Sequence, residues 1–204
     1  CLLAAPTGCA SFQLKFGAST LHRVFGVPVG YCGPWKGRTV ANGRYMKTKQ
    51  RMTQTQLFVM DELSMVGRQM LGKIEFKVRD VLGDLPAPDG SEVYLGGKDT
   101  VLAGDPKQAN PIGDDPLHKE GEYSGKGLNK PKHASGTPAG AWSTKKLVRM
   151  GMNVRNSFDD VVLLRQVHRF VDEKQGLSET QRQEYREDAL RFLKVTRGLA
   201  AVSY

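Results

Sequence analysis

Three short apolar runs, each stopped abruptly by residues that turn the chain or carry charge, constrain what this sequence can fold into. Leu2–Ala5 (LLAA) runs into Pro6-Thr7-Gly8, Leu57–Met60 (LFVM) into Asp61-Glu62, and residues 100–103 (TVLA) into Gly104-Asp105. Runs of four residues, apolar but for Thr100 and without polar alternation, suit a strand covered on both faces, as in a parallel sheet. After the second run, Val66, Met70, Leu71, Ile74, Val78, Val81 and Leu82 recur at helical spacing and form one apolar stripe. Strands separated by helices predict an α/β fold with a parallel sheet. Ligands of such sheets bind beyond the carboxyl ends of the strands, so the acidic tips are expected to face one crevice.

Other segments are read from the same signals. Residues 161–164 (VVLL) read as a further strand. Ser178-Glu179-Thr180-Gln181 has the form of a capping box, opening a helix with Tyr185, Ala189, Phe192 and Leu193 on one face. Residues 26–56, rich in Gly, Lys, Arg and Thr, and residues 113–140, dense in Gly, Pro and Lys, read as irregular insertions. The apolar fraction of 39% fits a soluble globular protein, and no apolar run reaches the length of a membrane span. Cys1, Cys9 and Cys32 form no Cys-x-x-Cys pair, which argues against zinc and for ordinary free thiols in a reducing compartment. An apolar strand starting at Cys1, with no charged lead-in, reads as a piece of a longer parent and not as a signal peptide.

The placement of charge says more than its net value of +9. Residues 1–60 contain no Asp or Glu and eight basic residues: Lys15, Arg23, Lys36, Arg38, Arg44, Lys47, Lys49 and Arg51. The other 144 residues carry 22 basic and 21 acidic side chains, close to balance. An acid-free stretch suits a polyanion, because each Lys or Arg near a phosphate displaces a counterion; a solvated basic surface fits charge alone equally well. Tyr31, Trp35 and Tyr45 lie among those charges and are candidates to stack on unpaired bases.

Chemistry is concentrated at the strand tips. A carboxylate ending a buried strand is held rigidly, and in a nucleotide hydrolase the first of two such acids holds Mg²⁺ while the second orients or deprotonates water. Asp61 and Glu62 have that placement. Gln108 follows the third strand and can hydrogen-bond a terminal phosphate or the attacking water. Thr7 at the first tip offers a hydroxyl beside free amides, suited to a phosphate of ATP or nucleic acid.

Taken together, these segments resemble superfamily-one helicases of the petite-integration-frequency (PIF) type, close to the Helitron-transposon helicases. Ala-Pro-Thr-Gly-Cys-Ala-Ser-Phe leading to Ser-Thr-Leu-His is similar to their Ia region, and Phe-Val-Met-Asp-Glu-Leu-Ser-Met to their Walker B segment. Gly-Gly-Lys followed by Val-Leu-Ala-Gly-Asp-Pro-Lys-Gln-Ala-Asn-Pro-Ile resembles motif III. Phe-Asp-Asp-Val-Val-Leu-Leu-Arg-Gln-Val-His-Arg-Phe resembles motif IV, ending at Arg169. The resemblance implies a RecA-like P-loop NTPase sheet, with residues 1–165 as the remainder of the first motor domain and 166–204 as the entry to the second. It implies ATP and Mg²⁺ as cofactors, with Asp61 holding Mg²⁺, Glu62 activating water, Gln108 sensing the γ-phosphate and Arg169 acting as the arginine finger. Pro6, Thr7, Gly8 and His22 would touch single-stranded DNA; separately, the acid-free charge of residues 1–60 makes Lys36, Arg38, Lys47 and Lys49 candidates for phosphate contacts. The partners implied are single strands and duplex junctions without a membrane. Repair, recombination or telomere maintenance in the nucleus or mitochondrion is the implied setting.

Two departures limit the match. Gln108 is followed by Ala109-Asn110-Pro111, where the family reads Gln-Leu-Pro-Pro. No Gly-x-x-x-x-Gly-Lys-Ser/Thr occurs, and residues 121–127 imitate it with the wrong spacing and no hydroxyl, so the sheet is expected to be incomplete at its N-terminal side, without its phosphate loop. The expectation is therefore a part of an ATP-dependent helicase motor; the alternative is a degenerate, inactive nucleic-acid-binding fragment.

Overall fold

The computed structural model describes residues 1–30, 32–35, 43–87, 89–124, 140, 142–164, 178–181, 183, 184 and 187. The chain divides into two units, Cys1–Asp159 and Asp160–Tyr204. The first unit runs β1 (Leu2–Ala5), α1 (Gly8–Leu14), β2 (Ser19–Thr20), α2 (Leu21–Phe25), α3 (Gly43–Gln54), β3 (Leu57–Met60), α4 (Arg68–Leu82), β4 (Asp99–Leu102) and α5 (Thr144–Asn156).

The strands form one sheet in the order β2-β1-β3-β4. All pairings are parallel, with Ala5 beside Thr20, Ala4 beside Met60, and Met60 beside Leu102. This register brings the carboxyl ends of all four strands to one edge, as the sequence predicts. The three apolar runs are strands, and β2 is an addition that its two polar residues did not announce. Phe58 and Met60 on β3 are fully buried, and Phe58 meets Phe25 of α2 edge-on at 5.3 Å. From α4, Leu71, Ile74, Val78 and Val81 complete the same core.

Because the N-cap of α4 is Gly67, which has no side chain to offer, another residue caps the helix. Asp114, far along the chain, accepts the N–H of Gln69 at 3.1 Å and of Met70 at 3.0 Å. Burial pushes the Asp114 carboxyl up in pKa, against the pull of those N–H groups. The cap ties the loop after β4 to the helix after β3, and so fixes two strand tips against each other.

The stripe on α4 is only half of its burial, since Gly72 to Val78 are all buried. The outer side is covered by α5 at backbone contact. A Cβ on Gly72 would lie 1.9 Å from the carbonyl oxygen of Leu147, and one on Gly151 would lie 1.9 Å from that of Arg68. Gly30, Cys32 and Gly33 also lie against α4. The ammonium of Lys73 donates to the carbonyl of Gly30 at 3.0 Å, and that of Lys77 to Gly33 at 2.5 Å. Cys32 is buried there, with its thiol pushed up to about 11 by burial, and Cys1 and Cys9 are exposed free thiols.

Three readings are corrected. Residues 43–54, expected to be irregular, form α3, whose inner face presents Tyr45, Thr48 and Met52 to the core. Tyr45 and Trp35 do not stand ready for bases. Tyr45 is buried, Trp35 packs against the same core, and their rings lie 5.9 Å apart. Burial of their large apolar surfaces outweighs exposure in a basic segment. Residues 161–164 form no strand, have no ladder partner among the described residues, and are exposed. Tyr31 and most of residues 125–140 lie outside the described residues.

In the second unit the capping box is present: Gln181 N–H donates to Ser178 Oγ at 3.3 Å, and Ser178 N–H to Gln181 Oε1 at 3.0 Å. Among the described residues no helix is long and apolar enough to cross a membrane.

Candidate functional site

The strand ladder continues past the end of β3 and fixes the acidic pair in place. Asp61 N–H donates to Ala4 O at 2.9 Å, Ala103 N–H to Met60 O at 2.8 Å, and Leu63 N–H to Ala103 O at 2.9 Å. Asp61, Glu62 and Leu63 are thus stitched between β1 and the exit of β4. Leu63 approaches so closely that a Cβ on Gly104 would fall 2.4 Å from its backbone nitrogen, so the Gly of Gly104-Asp105 is required by contact.

Glu62 adopts φ 56°, ψ 48°, the left-handed region that a residue with a Cβ enters at a cost of about 1 kcal/mol or more. The hydrogen bonds on either side hold it there. The next residues, Leu63–Met65, form a short 3-10 turn that buries Ser64. The Ser64 hydroxyl has no hydrogen-bond partner among the described residues.

On the first strand, Thr7 is the N-cap of α1, its hydroxyl oxygen accepting the Ala10 N–H at 3.2 Å. On the fourth, the Asp105 carboxylate accepts Lys107 N–H at 2.9 Å, and Gln108 N–H closes a turn onto Asp105 O at 3.1 Å. These turns converge. Thr7, Glu62 and Gln108 line one cavity of about 230 Å³, together with Ser64, Gln13 and Cys9 among others. A carboxylate, two side-chain amides and two hydroxyls, one of them uncommitted, meet there at the carboxyl edge of the sheet. Such a set can orient a water, accept its proton, and hydrogen-bond an oxyanion.

The remaining expected residues are distributed around this centre. Asp61 is half-buried at the β3 tip and is not among the residues lining the cavity. No group of three or more His, Cys, Asp or Glu side chains able to hold a metal exists among the described residues. A lone strand-tip carboxylate still fits Mg²⁺, which is bound through one or two carboxylates plus phosphate oxygens and water. Pro6 and Gly8 flank Thr7. His22 follows β2 at the same edge, its Nδ1 2.9 Å from Val27 O. Lys47 and Lys49 are exposed on α3. Lys36, Arg38 and Arg169 lie outside the described residues.

Ser64 and Gln13 were not singled out from sequence. A signal existed for each. Ser64 follows Glu62 by two residues, and Gln13 shares the face of α1 that carries Cys9 and Ala10.

A family model described as PIF1-like helicase matches residues 1–159. A Pif1 helicase from Bacteroides in complex with ADP-AlF3 and single-stranded DNA is 30% identical, covering 55% of this chain and 24% of its own, with a TM-score of 0.42. A Bacteroides Pif1 bound to single-stranded DNA gives 31% identity over the same shares and the same score. The Pif1 helicase from Candida albicans is 24% identical, over 54% of this chain and 23% of its own, with a TM-score of 0.37. The chain thus spans about a quarter of the length of these structures. A search of curated proteins finds no match.

Proposed function

Since this chain belongs to the PIF1-like helicases, we propose that it forms part of a motor that hydrolyses ATP to move along single-stranded DNA and open duplex. The observation that carries this reading is the meeting of Thr7, Glu62 and Gln108 in one cavity at the sheet's carboxyl edge.

ATP with Mg²⁺, when bound, would supply the γ-phosphoryl group that passes to water with ADP as the leaving group, and the Asp61 carboxylate would hold the metal. Glu62, rigid in its left-handed conformation, accepts the proton of the attacking water. Gln108 hydrogen-bonds the terminal phosphate, and Arg169 neutralises charge that builds up on it. Pro6, Thr7, Gly8 and His22 contact the single strand, and Lys36, Arg38, Lys47 and Lys49 add phosphate contacts. Residues 1–165 belong to the first motor domain in this reading and 166–204 open the second. A role in repair, recombination or telomere maintenance, in the nucleus or mitochondrion, extends it.

A second reading, an inactive nucleic-acid-binding fragment, draws support from Ala109-Asn110-Pro111 in place of the family's Leu-Pro-Pro after Gln108. Both readings require nucleic-acid binding, so that property is tested first. Reversal of Lys36, Arg38, Lys47 and Lys49 to Glu should weaken single-strand binding and flatten its dependence on log salt, because fewer counterions are released. The loss should be similar for different base sequences, since phosphates carry no base identity. An unchanged affinity and salt slope, measured by titration of a labelled oligonucleotide, would show these side chains to be solvated surface only.

A further inference from the structure

Outside residues 1–60 the charge is balanced in sum but not in place. Residues 123–158 contain no Asp or Glu and seven Lys and Arg, and α5 lies within this stretch. Its inner face, Leu147, Gly151 and Val154, is buried, with Leu147 and Gly151 in backbone contact with α4. Its outer face leaves Lys145, Lys146 and Arg149 exposed. With Ser143, Asn153 and Glu92, these three cations line a groove of about 540 Å³.

None of the three forms an ion pair among the described residues. Glu92, the acid on the groove, is engaged by the Tyr94 hydroxyl at 2.6 Å. Lys146 Nζ lies 4.2 Å over the Trp142 ring, which itself packs edge-on against Phe76 at 4.8 Å. The ring is half-buried and does not line the groove, whose described lining holds cations, polar groups and Met150 but no aromatic side chain.

We propose that the groove along α5 is a second nucleic-acid contact, holding the phosphodiester backbone of a strand without stacking or reading its bases. The inference rests on the nucleic-acid-binding reading above and locates a surface that reading does not include. Three cations within about one and a half helical turns repel each other; phosphates neutralise them, and the cations in turn release counterions condensed on the strand. From Ser143 to Asn153 the helix advances about 15 Å, at roughly 1.5 Å per residue. Successive phosphates of a duplex strand are spaced about 3.4 Å along the axis, so the groove matches a run of phosphates better than one free anion. Without stacking, this contact should hold single strand and duplex alike.

The test uses residues 1–204, a labelled thymidine oligonucleotide of about 20 nucleotides and a duplex of similar length, a span that covers a typical single-strand site. Lys145→Glu/Lys146→Glu/Arg149→Glu should weaken binding of both on the order of tenfold and lower the salt slope for single strand by roughly 2, at about 0.7 per lost contact. The triple Gln variant should show a smaller loss of the same kind, and thermal melting checks that α5 stays packed. Lys47→Glu/Lys49→Glu reports on the first surface independently. If that variant weakens binding while both α5 variants keep wild-type affinity and slope, the α5 contact is refuted and the functional reading stands. If the unaltered chain binds neither probe, both fall. Displacement of DNA by inorganic phosphate at constant ionic strength would overturn the proposal in favour of a small-anion site.

Discussion

Glu62→Gln, in a PIF1-like motor built on this chain and supplied with a phosphate loop, should leave ATP binding intact while turnover drops by about 10²–10⁴, the usual contribution of a general base. The substitution keeps the shape of the side chain and the left-handed backbone that holds it between β1 and the exit of β4. Only the ability to accept a proton is lost. Arg169→Ala should cost about 10³-fold or more through a different route, by withdrawing positive charge from the transition state. The two are separated by measuring nucleotide affinity and single-turnover hydrolysis together. Near-normal turnover in either variant would refute the role assigned to that residue.

An effect of comparable size, on folding and not on chemistry, is expected at Gly151. Gly151→Val places a Cβ where the carbonyl oxygen of Arg68 now lies 1.9 Å away, with the backbone nitrogen of Gly72 at 2.9 Å. Overpacking usually costs about 1–3 kcal/mol because side chains yield. Here both obstacles are backbone, so α5 must move off α4 as a body and uncover Leu147 and Phe76. A loss of about 4 kcal/mol or more follows, a large share of the roughly 5–15 kcal/mol that holds a domain together. A urea melt within about 1 kcal/mol of the unaltered chain would show that the two helices do not touch at this point.

The two predictions mark what could and could not be read from sequence. β1 and β3 were legible because a strand inside a parallel sheet is apolar and must stop where the chain turns, and β4 because its Val-Leu-Ala run stops at Gly104-Asp105, although this outermost strand begins with Asp99 and Thr100 and is partly exposed. With them came the expectation that the Asp61-Glu62 and Gly104-Asp105 tips face one crevice, since parallel strands put their tips on one edge; of these acids Glu62 lines the cavity, beside Gln108. The Ser178–Gln181 capping box was legible because its partners lie three residues apart. β2 was hidden by its length, as two polar residues give no period. On α3, Tyr45, Thr48 and Met52 carry the buried face alone among Lys, Arg and Gln, and the stretch reads as loop. The same composition made Tyr45 and Trp35 look available to bases. On α5 the contact is made by glycine, which contributes nothing to a hydrophobic pattern. Strand-like composition misled at residues 161–164, because an apolar run becomes a strand only where a neighbour offers its ladder.

The alternative reading, a fragment that binds nucleic acid and does nothing more, shares every binding prediction. Strand displacement separates the two. The assay is release of one strand from a forked duplex by a protein that joins residues 1–204 to a phosphate loop and a second motor domain. Displacement is expected to require ATP and Mg²⁺, to be abolished by Glu62→Gln, and to be absent with residues 1–204 alone. A protein so completed that binds the fork tightly but releases no strand, with Glu62 or with Gln in its place, would contradict the motor reading.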